Sequence, residues 1–140
     1  MLVDTLGLVL RAVVHPASIA DRDGARLVLE GCGERFPGLA KLWVDAGYRG
    51  RFVTWAREER GLDVAVVTRP RPWVRVPEGE EPPPLPVGVR VQPRRWVVER
   101  TFAWLGRNRR LSKDYEALPA SEEAWIYLAM SRLMLARLAK

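Results

Sequence analysis

Hydrophobic residues along this chain fall into short runs separated by turn formers. Leu2-Val3 and the run from Leu8 to His15 flank Asp4-Thr5-Leu6-Gly7, the pattern of two strands joined by a turn. Past Pro16, Ala25-Arg26-Leu27-Val28-Leu29-Glu30 follows Ala20-Asp21-Arg22-Asp23-Gly24 and stops at Gly31-Cys32-Gly33. This predicts a short helix capped by Asp21 or Asp23. Lys41-Leu42-Trp43-Val44 predicts a buried strand ending at Asp45. Phe52 to Glu59 then places Phe52, Trp55 and Ala56 on one side of a helix that Gly61 ends. Leu62 to Val67 has few polar interruptions, as in a strand covered by helices on both faces.

Residues 69–93 break the pattern. Pro70, Pro72, Pro77, Pro82, Pro83, Pro84, Pro86 and Pro93 exclude a helix or a central strand, so the stretch reads as an extended, proline-rich loop. A basic helix follows from Arg94. Ser121, as cap, then starts a last helix through Ala139, with Glu122 and Glu123 at the positive end of its dipole. Ile126, Leu128, Ala129, Met130, Leu133, Met134, Leu135 and Leu138 wrap most of that helix, which should be largely buried or packed on a partner chain. The order strand, strand, helix, strand, helix, strand, loop, helix, helix is a mixed α/β plan.

A length of 140 residues bounds the chain to one compact domain or a piece of a larger one. Cys32 is the single cysteine, which excludes a disulfide within the chain and a thiolate metal cluster. No apolar run is long enough to span a bilayer, and the start lacks a basic leader, so the expected location is the cytoplasm. The net charge of +6 and the pI near 10.2 favour polyanionic partners. That charge is local: Arg94, Arg95, Arg100, Arg107, Arg109, Arg110 and Lys113 are opposed between them only by Glu99. Arginine forks suit phosphate oxygens, so this segment is the candidate DNA contact, with a solvated helix face as the plain alternative.

Two acids stand out. Glu99 lies in that positive field, with Arg95 before it and Arg100 after it; Asp45 closes an apolar strand. Together they suggest metal-dependent chemistry on a nucleic-acid backbone, whereas singly they read as a helix salt bridge and a strand-end cap. Asp21-Arg22-Asp23-Gly24 is no calcium loop, because Cys32 stands where the bidentate acid belongs. His15, the only histidine, reads as structural. Trp43, Trp55, Trp96, Trp104 and Trp125 read as core; Trp73, in the proline-rich stretch, is placed to stack on a base or to anchor its loop.

The segments Val3 to Gly7, Val14 to Ala25, Trp43 to Gly50 and Arg94 to Glu116 closely resemble the C-terminal part of bacterial insertion-sequence transposases, most of all the insertion-sequence-five group. The resemblance covers nearly the whole chain. It implies a ribonuclease H-like catalytic domain with a DDE triad, which binds transposon ends and target DNA and cuts and joins them with Mg²⁺ (or Mn²⁺). Asp45 resembles the second acid of that triad and Glu99 the third, and Arg95 fits the family's Arg-x-x-x-Glu spacing. Gln92 stands where the family has Tyr, and Gly106, beside Arg107, where it has Lys.

The first Asp of the resembled family lies on a strand upstream of the segment matching Leu2-Val3-Asp4, so the expectation is an incomplete mixed sheet, flanked by helices, that lacks the first catalytic strand. Asp4 is read as a turn acid that bonds its own backbone, not as a substitute. Loss of that strand should leave unpaired edges between the opening hairpin and the strand ending at Asp45. Two ions roughly 3.5–4 Å apart need more than two carboxylates. Residues 1–140 therefore read as a truncated transposase domain, inactive as this chain alone; the alternatives are an inactive DNA-binding remnant, or one half of a split transposase completed by an upstream product, and the expected protein partner is that upstream fragment or a homo-oligomer.

Overall fold

A computed structural model describes residues 1–68, 94 and 96–139. The loop expected over 69–93, with Trp73 and Gln92, and Arg95 lie outside the described residues.

The chain is an α/β protein with small sheets flanked by helices. Strands β1 (Leu2–Val3) and β2 (Val9–Arg11) form an antiparallel ribbon, and β3 (Lys41–Asp45) and β4 (Asp63–Val67) form a parallel one. Helices α1 (Asp21–Leu29) and α2 (Cys32–Arg35) link the ribbons, and α3 (Arg51–Glu58) is the crossover between β3 and β4. Helices α4 (Trp96–Leu105) and α5 (Pro119–Leu138) complete the described chain. Where one incomplete mixed sheet was expected, two separate two-stranded sheets are found among the described residues.

The core is built by the periodicities legible in sequence. Leu2, Val28, Leu29, Leu42, Phe52, Ala56, Leu62 and Val64 are buried together with Cys32, whose Sγ donates to the Val28 carbonyl at 3.0 Å. Burial pushes the Cys32 thiol pKa up, ahead of opposing effects from nearby arginines. At ~1.5–3 kcal/mol per fully buried large side chain, these contacts dominate stability. The parallel register pairs Lys41 with Asp63, whose side chains meet at 2.6 Å on the surface.

Asp4 organises the first turn as expected: its Oδ1 accepts from the amides of Leu6 and Leu8, both at 2.8 Å. The turn ends at Gly7, whose φ of 83° lies in the left-handed region. A Cβ there would meet Thr101 Oγ1 at 2.9 Å and the Trp104 ring at 3.1 Å. This close approach lets the fully buried Thr101 hydroxyl donate to the Gly7 carbonyl at 2.7 Å, with the Val97 carbonyl a second acceptor at 3.0 Å. Arg100 Nη2 donates to the Leu6 carbonyl at 2.7 Å. Two side chains of α4 thus grip two successive carbonyls of the turn. Gly24 has a similar packing role, since a Cβ on it would collide with the His15 imidazole; His15 is structural there.

Several expectations are corrected. Helix α1 begins at Asp21 after Ala20, which has no side-chain cap, so neither Asp21 nor Asp23 caps it; both sit in its first turn, where the dipole favours them. Helix α5 starts at Pro119, not after Ser121, because proline needs no amide partner in the first turn. It is not largely buried in this chain: Met130 is its buried residue, and Leu128, Leu135 and Leu138 are 59%, 65% and 83% exposed. The basic helix is shorter than the charge run, because Asn108 Nδ2 donates to the Trp104 and Leu105 carbonyls and closes α4 there.

The core reading of the tryptophans holds in part: Trp55 packs half-buried against the core and Trp43 and Trp104 are half-buried, whereas Trp96 is 52% exposed, and the indoles act as plates for guanidinium groups. Arg100 lies 4.3 Å from the Trp96 ring centre and 4.7 Å from that of Trp104. Arg26 and Arg60 flank Trp55, each at 5.3 Å.

Replacing Thr101 by Val leaves the buried Gly7 carbonyl without this donor and should cost about 1–3 kcal/mol. Gly7→Ala should cost at least as much, because it adds left-handed strain to a clash. Urea unfolding checks both. Midpoints equal to the unaltered chain would show that the turn does not depend on α4.

Candidate active-site cleft and basic surface

β3 delivers Asp45 to its C-terminal end, where the chain enters a 3-10 turn, Ala46–Tyr48. Asp45 Oδ1 accepts from the Gly47 amide at 2.7 Å and caps that turn. Arg22 Nε donates to the Gly47 carbonyl at 2.8 Å and ties the turn to α1. The carboxylate is exposed but held by its own backbone. Glu99, also exposed, lies in the first turn of α4.

Both acids line one cleft of about 920 Å³. Asp4, Asp21, His15 and Arg94 also reach it, and Tyr48 contributes a ring that meets Phe52 edge-on at 5.5 Å between centres. Burial, then the negative charges of Asp21 and Asp45, pushes the Tyr48 hydroxyl above its ordinary pKa.

The cations divide into two groups. Arg94 stacks over Trp43 at 4.9 Å beside the cleft, and Arg100 is held by Leu6 and two indoles. Arg107, Arg109, Arg110 and Lys113 lie beyond α4, on the turn that leads to α5. There Arg110 Nε pairs with Glu116 Oε1 at 2.7 Å, while Arg107, Arg109 and Lys113 are exposed. Arg107, Arg109, Arg110 and Arg132 rim a second, apolar cleft of about 590 Å³ floored by Trp125, Leu128 and Leu135. Arg132 was missed in sequence. Its signal was a cation, like Arg137, inside the apolar run of α5.

A family model described as "Transposase DDE domain" matches residues 1–134. This chain belongs to that family. No curated protein and no solved structure matches it.

For a DDE transposase domain the donor chemistry of the cleft is apt: carboxylate oxygens are the hard ligands that Mg²⁺ and Mn²⁺ take. The number is not. Among the described residues no group of three His, Cys, Asp or Glu side chains converges as a metal site. No helix among the described residues is long and apolar enough to cross a membrane.

Asp45→Asn keeps an oxygen for the Gly47 amide but removes a charge that raises the Tyr48 pKa. The tyrosinate should then form at lower pH than in the unaltered chain, as read from the Tyr48 ring carbon shift in an NMR titration. An unchanged titration would mean that Asp45 does not act on the cleft interior.

Proposed function

We propose that this transposase domain acts on DNA in metal-dependent strand cleavage and transfer, with Asp45 and Glu99 as two of the carboxylates that hold Mg²⁺ or Mn²⁺ near the scissile phosphate. The observation that supports this most is that two acids from separate elements, one ending β3 and one opening α4, border the same cleft. Bound divalent ions would supply charge stabilisation for the entering and leaving oxygens of an in-line displacement. This chain's own part is positional. The Gly47 amide and Arg22 fix Asp45, and the start of α4 presents Glu99 where the helix dipole favours negative charge, phosphate included.

DNA would be held by Arg94, Arg95, Arg107, Arg109, Arg110 and Lys113, and the protein would then reside with the bacterial nucleoid in the cytoplasm. Arg100 is expected on the same face, and its guanidinium also meets the Leu6 carbonyl and two indoles, which orders α4.

The want of a third converging donor among the described residues favours a second reading alongside the first: residues 1–140 act as part of an incomplete ribonuclease H-like domain, completed by an upstream product or another copy. Uncompleted, the chain would be an inactive DNA-binding remnant.

Mn²⁺ binding followed by electron paramagnetic resonance should weaken about tenfold or more in both Asp45→Asn and Glu99→Gln. Equal affinity in all three proteins would remove the two-acid site. For DNA, log affinity should fall steeply with log salt, and the double variant Arg109→Ala, Lys113→Ala should flatten the slope by about 2. A flat slope in the unaltered chain would exclude this face as the contact.

A further inference from the structure

Helix α5 has two unlike faces. Met130 points into the core, while on the opposite face Trp125, Leu128, Arg132 and Leu135 follow one another at alternating spacings of three and four residues. Leu128 and Leu135 on that stripe are 59% and 65% exposed. The stripe floors the second cleft, and the turn after α4 forms the other wall with Leu111 and the side chains of Arg107, Arg109 and Arg110. No carboxylate is in that lining. Arg110 is paired with Glu116 and lies over Trp125 at 5.4 Å. Among the described residues, Arg107, Arg109 and Arg132 have no carboxylate within ion-pair distance.

We propose that this groove docks one amphipathic helix of a partner protein, a helix with leucine-type side chains along one face and Asp or Glu on its flanks. A stripe at spacings of three and four is the ridge along which a second helix packs at a shallow angle. From Trp125 to Leu135 it runs about 15 Å at ~1.5 Å per residue, the length of roughly three turns of partner helix. Its composition is that of an interface centre, where Trp and Arg are favoured and Lys is depleted: the lining holds Trp125 and four arginines and no lysine.

The rim sets the sign of the partner. Guanidinium forks around an apolar floor favour carboxylates, which they can hold bidentately. A second copy of this chain seated groove to groove would bring Arg107, Arg109 and Arg132 of both copies together, and like charges across an interface oppose that pairing. A DNA duplex would satisfy the arginines but offers no apolar face to Leu128 and Leu135. An acidic amphipathic helix answers both the charge and the leucines. The groove stands apart from the proposed metal centre, since none of its lining residues borders the larger cleft. It shares Arg107, Arg109 and Arg110 with the proposed DNA face, so the leucines of its floor separate the two roles.

The probe is a fluorescein-labelled peptide of two repeats of Leu-Glu-Glu-Leu-Ala-Glu-Ala, blocked at both ends and titrated against the full chain by fluorescence polarisation. One control peptide has Lys for every Glu, and another has Ser for every Leu. Saturable binding of the probe, at least tenfold weaker for either control, is the expected result. Leu128→Ser with Leu135→Ser should weaken the probe at least tenfold, as should Arg132→Glu, while the leucine variant keeps its thermal midpoint and its affinity for duplex DNA. Failure of the probe to bind, or equal binding of the Lys peptide, would overturn the docking site. Equal binding of the Ser peptide, or a matching loss of DNA affinity in the leucine variant, would make the groove part of a polyanion face and overturn it too. So would self-association of the unaltered chain that the leucine variant abolishes, because the occupant would then be a second copy.

Discussion

The arrangement of this domain turns on the close approach of Gly7 to α4. Only a residue without a Cβ lets the turn between β1 and β2 lie against Thr101 and Trp104, and only there can Thr101 and Arg100 reach two successive carbonyls. The contact joins residues far apart in sequence and sets where α4 starts relative to the first ribbon. Glu99 is carried on the same turn of helix as Arg100. The position of the acid in the cleft is therefore a consequence of a backbone grip made one and two residues further along α4.

The same junction explains why the basic segment is not one uniform surface. A run of arginines reads as a phosphate-binding face when charge alone is counted. In the structure the indoles intervene: Arg100 lies against Trp96 and Trp104, Arg137 is over Trp104 at 4.4 Å, and Arg110 is over Trp125 at 5.4 Å. A guanidinium is weakly hydrated and stacks at little desolvation cost, so a partly exposed tryptophan is stabilised where it would otherwise need burial. Cations serve as cover for aromatic surface, and Arg107, Arg109 and Lys113 are exposed on the turn after α4.

What was legible in sequence was what depends on local periodicity. The strand ending at Asp45, the helix that buries Phe52 and Ala56, and the turn held by Asp4 follow from alternation, helical spacing and the ability of a short acid to bond its own backbone. The errors arose where distant groups decide. Asp21 and Asp23 look like caps, but the helix had already begun at Asp21. The apolar residues of α5 promised burial, yet burial needs a facing surface, and most of this helix has none within the described chain. The family was legible because its motif order is carried by residue types. That Asp45 and Glu99 both line one cleft could not be read from spacing, since no spacing rule links β3 to α4.

Strand edges show how the chain treats backbone groups that lack a neighbour. Beyond β2, the amide of Ala12 donates to Tyr127 Oη at 2.9 Å and that of Val14 to Glu123 Oε1 at 2.8 Å. The match is geometric: alternate amides of an extended chain are about 6.6 Å apart, and residues one turn apart on a helix about 6 Å. Helix α5 can thus serve that edge as a strand would, using side chains in place of a ladder. An extended segment running into α5 is closed by its own helix. Around β1 and β3 the cleft lining mixes apolar side chains of α1, α3 and α4 with the carboxylates of Asp21 and Glu99. Two polar side chains of α5, those of Tyr127 and Glu123, thus answer two amides of the first ribbon's continuation in the way a neighbouring strand would.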